Sequence, residues 1–218
     1  MPSCCNSRGC DQMFSRRFAR RMARQYGKRG LNRTARQIVG FLEEQVIEGA
    51  TVLEVGGGVG EIQIELLKRG AERAVNLELS PAYEPVAERL LRETGFANRV
   101  QRKLHDIAVD PHSIEPADVV VLHRVVCCYP NYELLLEAAA AHARHVLVFS
   151  HPRRHQVTRV IMAAQNLGFR IMRREFRGFI HEPAEMLDVL GAHGLNLTFT
   201  RKGVFWQVNG LVRSQAER

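Results

Sequence analysis

The chain has 218 residues, 45% of them hydrophobic, which suits one globular domain with small elaborations. No apolar run approaches the roughly 20 residues that cross a bilayer, and the first residues lack the apolar core of a secretory signal, so we expect a cytoplasmic protein without a membrane span. The cysteines number five, which argues against a disulfide framework and indicates reduced thiols.

The formal charge of +8 is concentrated at the amino terminus. Residues 1–36 contain ten Lys or Arg and one acid, Asp11, which gives +9 there and leaves −1 for the remainder. The same segment has an apolar stripe with the spacing of an amphipathic helix, at Phe14, Phe18, Met22 and Tyr26. We therefore predict a basic helical cap at residues 1–36, followed by a domain that covers residues 37–218.

Strands and helices alternate after Asn32, which can cap a second helix. The predicted strands are TVLEV at 51–55, AVNLEL at 74–79, RVQRKLH at 99–105, ADVVVLHRV at 117–125 and HVLVFS at 145–150. Apolar strands that alternate with helices predict an α/β fold with a doubly wound, mostly parallel sheet covered on both faces. The later runs LNLTFT and VFWQVNGLV, joined by a three-residue turn with Gly203, predict an antiparallel hairpin that completes seven strands.

A second basic segment covers residues 153–177. It carries seven arginines against one acid, Glu175, and has apolar residues at helical spacing, at Val160, Ile161, Ala164 and Leu167. We predict that this segment is a helical insertion that packs over the strand ends.

The stretch EVGGGVG, residues 54–60, joins the first strand to the following helix. Glycines at such a turn let a ligand approach the backbone, and the free N–H groups of the helix point toward the same place. A P-loop is excluded because no Lys-Ser or Lys-Thr follows, and a dinucleotide fingerprint would need glycine where Glu61 stands.

The remaining pattern, Glu54-x-Gly56-x-Gly58-x-Gly60, resembles the first motif of the class I S-adenosylmethionine-dependent methyltransferases. That resemblance implies a Rossmann-like methyltransferase fold and S-adenosyl-L-methionine as cofactor. It implies that the methionine part lies against the glycine loop and the end of the fourth strand, the ribose at the end of the second strand and the adenine after the third. The residues that would contact the methionine part are Glu54, Gly56, Gly57, Gly58, Gly60, Leu122 and His123. Those for the ribose are Glu78 and Leu79, and those for the adenine are Asp106 and Ile107.

The layout also resembles the magnesium-protoporphyrin O-methyltransferase subgroup, through a leading helix that ends in QYG, Tyr129-Pro130 after the fourth strand, and LVFSHP in the fifth. Cys128 precedes the Tyr-Pro, where that subgroup typically has histidine. The candidate catalytic residues are Cys128, Tyr26 and His123. We expect a small-molecule acceptor with a carboxylate, hydroxyl or thiol, and an acidic one, because arginines of the leading helix and of residues 153–177 could face it.

Two other functions stay open at this point. An RNA-binding protein or RNA-modifying methyltransferase would explain the arginines, although the Asn/Asp-Pro-Pro-Tyr/Phe motif of many base methyltransferases is missing after the fourth strand. A non-catalytic S-adenosylmethionine binder is the other. Cys4, Cys5 and Cys10 could approach Cys127 and Cys128 if the first helix folds over the pocket, and such a thiol cluster could bind a soft metal or metalloid. Their spacing fits no standard zinc pattern, and a reduced tail without a metal is the prediction.

Overall fold

The computed structural model describes residues 13–45 and 47–214, so Cys4, Cys5 and Cys10 lie outside the described residues. Its helices are α1 (Arg16–Arg29), α2 (Arg33–Glu43), α3 (Glu61–Lys68), α4 (Glu84–Thr94), α5 (Tyr132–His142), α6 (Gln156–Ile171) and α7 (Pro183–Ala192). Its strands are β1 (Thr51–Val55), β2 (Arg73–Glu78), β3 (Val100–Leu104), β4 (Ala117–His123), β5 (Ala143–Pro152), β6 (Leu195–Lys202) and β7 (Trp206–Arg213).

The seven strands form one sheet in the order β3-β2-β1-β4-β5-β7-β6. The first five of these are parallel, whereas β7 runs antiparallel to both β5 and β6. The predicted doubly wound sheet with an antiparallel terminal hairpin is therefore confirmed. The hairpin turn begins two residues later than the sequence suggested, because Arg201 and Lys202 continue β6 and Gly203 N–H donates to the Trp206 carbonyl at 2.8 Å.

The two faces of the sheet are covered by different helices. Along β4, Val119 and Val121 pack with residues of α2 and α3, while Val120 and Leu122 pack with residues of α5 and α7. This alternation is the two-residue period of a strand, and it explains why strands buried on both faces are apolar throughout.

The leading helices begin and end at residues typical of helix caps, which satisfy backbone hydrogen-bonding groups or allow the chain to turn. Asn32 caps α2 by accepting the Ala35 N–H at 3.1 Å, as predicted, and Gly30 ends α1 with a left-handed φ of 67°. The predicted domain boundary at residue 36 falls inside α2, whose Ile38 and Leu42 are fully buried in the core on one face of the sheet.

The insertion contains one long helix, α6, and it joins two parts of the molecule. Phe179 N–H donates to the Cys127 carbonyl at 2.7 Å, which brings the insertion to the carboxyl end of β4. Phe176 packs edge-on against Phe169 of α6 and against Phe14, just before α1, each with ring centroids 5.4 Å apart. None of the helices in the described ranges is both long and apolar enough to cross a membrane.

Candidate active site

The carboxyl ends of β1, β2 and β4 lie side by side because these strands are parallel neighbours. A cavity of about 530 Å³ lies at this edge of the sheet. Its size is within the range of about 300–1,000 Å³ that is usual for small-molecule sites, and the switch in strand order is where such folds bind ligands.

The glycine loop between β1 and α3 forms one wall of the cavity. Gly56, Gly58 and Gly60 have φ values of 63°, 55° and 83°, a left-handed conformation that residues with side chains rarely adopt. Gly57 is required for a different reason, since a Cβ atom there would come within 2.7 Å of the Glu54 carboxyl carbon. The loop therefore approaches the cavity as bare backbone.

Two buried charged side chains hold this loop in place. Glu78, at the end of β2, accepts the Gly58 N–H at 2.9 Å and the Leu79 N–H at 2.8 Å. Arg102 of β3 donates to the Gly58 carbonyl at 2.9 Å and forms an ion pair with Glu84 at 2.8 Å. The sequence analysis did not propose Arg102. The only sequence feature that could have indicated it is a cationic residue within a predicted strand of the sheet.

Glu78 lines the cavity and keeps lone pairs for a ligand, since each carboxylate oxygen accepts more than one hydrogen bond. Burial raises the pKa of Glu78, and the backbone N–H groups of Ser80, Leu79 and Gly58 oppose that rise. This carboxylate suits the two hydroxyls of a ribose, where each charge-assisted hydrogen bond contributes about 1.5–3 kcal/mol.

Glu54 lies near the end of β1, against the glycine loop. It is buried, and its carboxylate accepts the Gln63 N–H at 3.3 Å. Burial, followed by the charge of Glu61, raises the pKa of Glu54 to about 8. A ligand with a cationic group would offset the cost of this buried carboxylate, because an opposite charge nearby favours the ionised form.

Asp106 follows β3 at the far end of the cavity lining. Its carboxylate accepts the Tyr129 hydroxyl at 3.1 Å and the Ala108 N–H at 3.1 Å. Ile107 is buried beside it, and Ile107 and Leu79 both line the cavity. Apolar side chains next to a carboxylate suit a purine ring that carries an exocyclic amino group.

The predicted cofactor residues that do not line the cavity are Gly60 and Leu122. Gly60 instead begins α3, where its carbonyl accepts the Ile64 N–H at 3.1 Å. The Leu122 side chain is fully buried in the core, between its strand partners Val55 and Phe149. Both residues therefore have a structural position next to the cavity lining and do not form part of its surface.

The opposite side of the cavity comes from α1, the start of α2 and the segment after β4. Arg21 is one of the leading-helix arginines expected to face the acceptor, and it lines the cavity. The lining also includes residues that the sequence analysis did not propose, namely Phe18, Met22, Leu31, Asn32, Arg124 and Val125, and Glu61 at the start of α3. The arginines of residues 153–177 do not line the cavity in the described part of the chain. The cations that do are Arg21 and Arg124.

Arg124 is held by several independent contacts. Its backbone has a left-handed φ of 61°, and its N–H donates to the Ser150 hydroxyl at 3.0 Å. The guanidinium lies 4.9 Å from the centre of the Trp206 ring and donates to the Asn32 side chain at 3.4 Å. Burial lowers the pKa of Arg124, while the charge of Glu61 raises it. The chain thus fixes a guanidinium in the cavity wall.

Glu61 begins α3 and is the acid that faces this cation. Burial raises the pKa of Glu61, whereas the charge of Arg124 lowers it. Its Oε2 atom has no hydrogen-bond partner among the described residues, although the side chain is buried. A buried, unpaired carboxylate oxygen in a cavity wall is a group that a ligand can satisfy.

The three catalytic candidates all line the cavity, but their environments differ. Burial lowers the pKa of His123 to about 3, so the ring is neutral at pH 7 and a weak base. Burial and the carboxylate of Glu65 raise the pKa of Tyr26 to about 12, and its hydroxyl donates to Glu65 at 2.6 Å. The Cys128 sulfur lies 3.6 Å from the Cys127 sulfur.

Comparison with known proteins identifies the protein family. A model described as "Methyltransferase domain" matches residues 18–200, most of the chain. The chain belongs to this methyltransferase family. The predicted enzyme class and the S-adenosylmethionine cofactor are thereby confirmed at family level.

A curated relative, ribosomal protein L11 methyltransferase of Thermotoga maritima, is 41% identical over 64 residues, which cover 29% of this chain and 24% of that enzyme. The shared segment is thus about a quarter of the relative's length.

Solved structures agree on the fold. Magnesium protoporphyrin IX methyltransferase from Synechocystis PCC 6803 with bound S-adenosylhomocysteine has a TM-score of 0.73 at 20% identity, with 93% of this chain and 97% of that chain covered. An O-methyltransferase family protein from Burkholderia thailandensis has a TM-score of 0.69 at 17% identity, with 95% and 64% covered. The predicted Rossmann-like methyltransferase fold is confirmed.

Proposed function

We propose that this enzyme methylates a small acidic molecule, whose carboxylate is held by Arg124 in the half of the cavity formed by α1, α2 and the segment after β4. The observation that carries the proposal is the fixed guanidinium of Arg124 in the cavity lining. Arginine binds carboxylates with charge-assisted and often paired hydrogen bonds. Arg21 of α1 adds a second cation to the same lining.

The cofactor residues fit the donor. The glycine loop gives bare backbone, Glu54 gives a buried carboxylate for a cationic end, and Glu78 and Asp106 give acceptors for a ribose and an amino group. S-adenosylmethionine, when bound, supplies an electrophilic methyl group on a positively charged sulfur. The protein is left mainly with positioning, because a carboxylate acceptor is ionised at pH 7 and needs no general base.

Hydroxyl acceptors would need a base, and the environments of His123 and Tyr26 do not provide a good one. His123 is neutral but has a pKa of about 3, and Tyr26 has a pKa of about 12 with its hydroxyl bound to Glu65. This contrast favours an acceptor that is already anionic. Two structural neighbours, a magnesium protoporphyrin IX methyltransferase and an O-methyltransferase family 2 protein in complex with apigenin, indicate that the fold accommodates small molecules of different shapes.

The proposal is tested by product formation from defined acceptor pools. The full-length enzyme is incubated with S-adenosylmethionine and with pools of carboxylic acids, phenols or thiols, and S-adenosylhomocysteine is quantified. We expect turnover with carboxylic acids, and about a thirtyfold fall in kcat/KM in Arg124→Gln with cofactor affinity unchanged. Arg92→Gln is the matched control, because Arg92 is an exposed arginine of α4 outside the cavity.

Turnover restricted to phenols or thiols would reject the acidic acceptor. Carboxylate turnover that is unaffected by Arg124→Gln would reject the assigned role of that arginine. Cofactor binding without turnover in any pool would instead support a non-catalytic binder.

A further inference from the structure

Helix α6 carries an apolar face that the fold leaves uncovered. Its buried residues are Thr158, Met162 and Phe169, which lie on one side of the helix. Aliphatic residues at helical spacing occupy another side, with Val160 66% and Ile171 72% exposed. We call this face the α6 stripe; it consists of Val157, Val160, Ile161, Leu167 and Ile171. Contiguous exposed apolar surface of this kind marks an interaction site rather than ordinary surface composition.

The α6 stripe continues at the amino-terminal end of the helix. His155, the residue that caps α6, contacts the Val204 carbonyl through its ring nitrogen at 3.0 Å. The Val204 side chain, in the turn between β6 and β7, is 83% exposed. An apolar side chain from a second element therefore lies next to the start of the stripe.

The charges on α6 itself are all of one sign. Helix α6 contains no Asp or Glu, and its two arginines, Arg159 and Arg170, are exposed. Arg173 follows the helix and is also exposed. An apolar stripe flanked by cations, with few acids, is the pattern of helices that lie in the interface of anionic bilayers.

Helix α1 is also strongly basic. It contains seven Lys or Arg and no acid, and all seven cations are exposed. The Phe14–Phe176–Phe169 contacts link the segment before α1 to α6 through Phe169, which lies on the buried side of that helix. The cations of α1 add to the positive charge of the molecule, which strengthens its attraction to an anionic surface.

We propose that α6 docks this enzyme onto anionic lipid bilayers, with its apolar stripe inserted at the level of the headgroups and the arginines of α6 facing the lipid charges. A second copy of the chain fits less well, because pairing two α6 stripes would bring arginines together with no acid on the helix to meet them. RNA also fits less well, since the stripe is aliphatic and offers no aromatic ring for base stacking.

The test is flotation of the purified full-length protein with vesicles at about 0.1 M salt. Vesicles of phosphatidylcholine with about 30% phosphatidylserine should carry the protein upward, and vesicles of phosphatidylcholine alone should carry much less. Val160→Gln combined with Ile171→Gln should weaken binding at least tenfold, because it removes the most exposed apolar groups of the stripe while keeping good helix formers. Arg159→Gln with Arg170→Gln should weaken it by about fivefold for each charge.

The matched control is Leu134→Gln with Leu197→Gln, which removes two exposed leucines, 48% and 46% exposed, from elements other than α6. This variant should float like the unmodified protein. The proposal is overturned if anionic vesicles do not bind the protein, or if the stripe variant and the control bind equally. It is also overturned if the stripe variant instead dissolves a dimer seen by light scattering, or selectively loses mixed-sequence RNA in a filter-binding assay, without a change in flotation.

Discussion

The two halves of the cavity are built in different ways. The cofactor half, which is the part of the lining that we propose binds S-adenosylmethionine, uses short sequence segments: a glycine turn after β1 and single acids at or just after the ends of β1, β2 and β3. The acceptor half assembles Arg21, Asn32, Glu61, Arg124 and Cys128 from four separate segments. The shape of the cofactor half is determined by backbone geometry, and many sequences with one fold can have the same backbone geometry. The second depends on side chains that converge only after folding, so it can change its acceptor without changing its donor.

The largest effect we expect concerns the buried carboxylate of the cofactor half. Its pKa of about 8 lies above the ordinary value of 4.5, so the folded protein binds more protons than the unfolded chain between these pH values. Glu54 should therefore cost stability progressively as the pH rises from 4.5 to 8, by on the order of a few kcal/mol in total. Chemical denaturation of wild type and Glu54→Gln across this range measures the difference, which should grow with pH in favour of the variant.

Addition of S-adenosylmethionine should reduce this difference, because a cationic end near Glu54 stabilises its ionised form. Groups such as His123, whose depressed pKa gives a slope of opposite sign below pH 6.5, are common to both proteins and cancel in the subtraction. A difference that is flat with pH would show that Glu54 does not titrate in this window.

The next effect concerns the glycine loop. Gly57→Ala places a methyl group against the Glu54 carboxyl, 2.7 Å from its carbon, and against Asn76, both of which are buried. Overpacking of this kind costs about 1–3 kcal/mol, and we expect the upper end, about a hundredfold loss of S-adenosylmethionine affinity by calorimetry. Gly40→Ala is the control: nothing lies within 4 Å of that position in α2, so it should bind cofactor normally and be slightly more stable.

A smaller effect is expected in the acceptor half. Arg124→Gln removes a charged hydrogen-bond donor, which contributes about 2 kcal/mol, or about thirtyfold in kcat/KM for a carboxylate acceptor. Most of this loss should appear in KM, and the dissociation constant of S-adenosylmethionine should stay within about twofold of wild type. An equal loss of cofactor affinity would remove the distinction between the two halves.

Candidates for the cofactor half could be named from the sequence because their signals are local. Glycines and acids at fixed distances from apolar strands lie at one sheet edge once the strands are parallel, and Glu54, Glu78 and Asp106 all line the cavity. Their contacts with the cofactor stay a prediction. Arg124 carried no comparable signal, since its position depends on a left-handed backbone, a serine of β5 and a ring of β7. Arg102 was missed for the same reason: its role is a contact with a loop 44 residues earlier.

The smallest effect is expected at Tyr26, a catalytic candidate from the sequence whose hydroxyl the fold directs toward α3. That hydroxyl donates to Glu65 at 2.6 Å and accepts from Lys68 at 3.1 Å, and burial with Glu65 raises its pKa to about 12. Tyr26→Phe should therefore leave kcat within about twofold at every pH tested and cost about 1 kcal/mol of stability, or about 2–4 °C in Tm.

Tyr132→Phe is a matched control outside the cavity, because its hydroxyl also binds a carboxylate, Glu185, at 2.9 Å. Similar losses of Tm with unchanged kcat in both variants would assign Tyr26 to the anchoring of α1. A tenfold fall in kcat in Tyr26→Phe, with no such fall in Tyr132→Phe, would show that Tyr26 is a catalytic residue. The acceptor half would then contain a proton-transfer group as well as a binding cation.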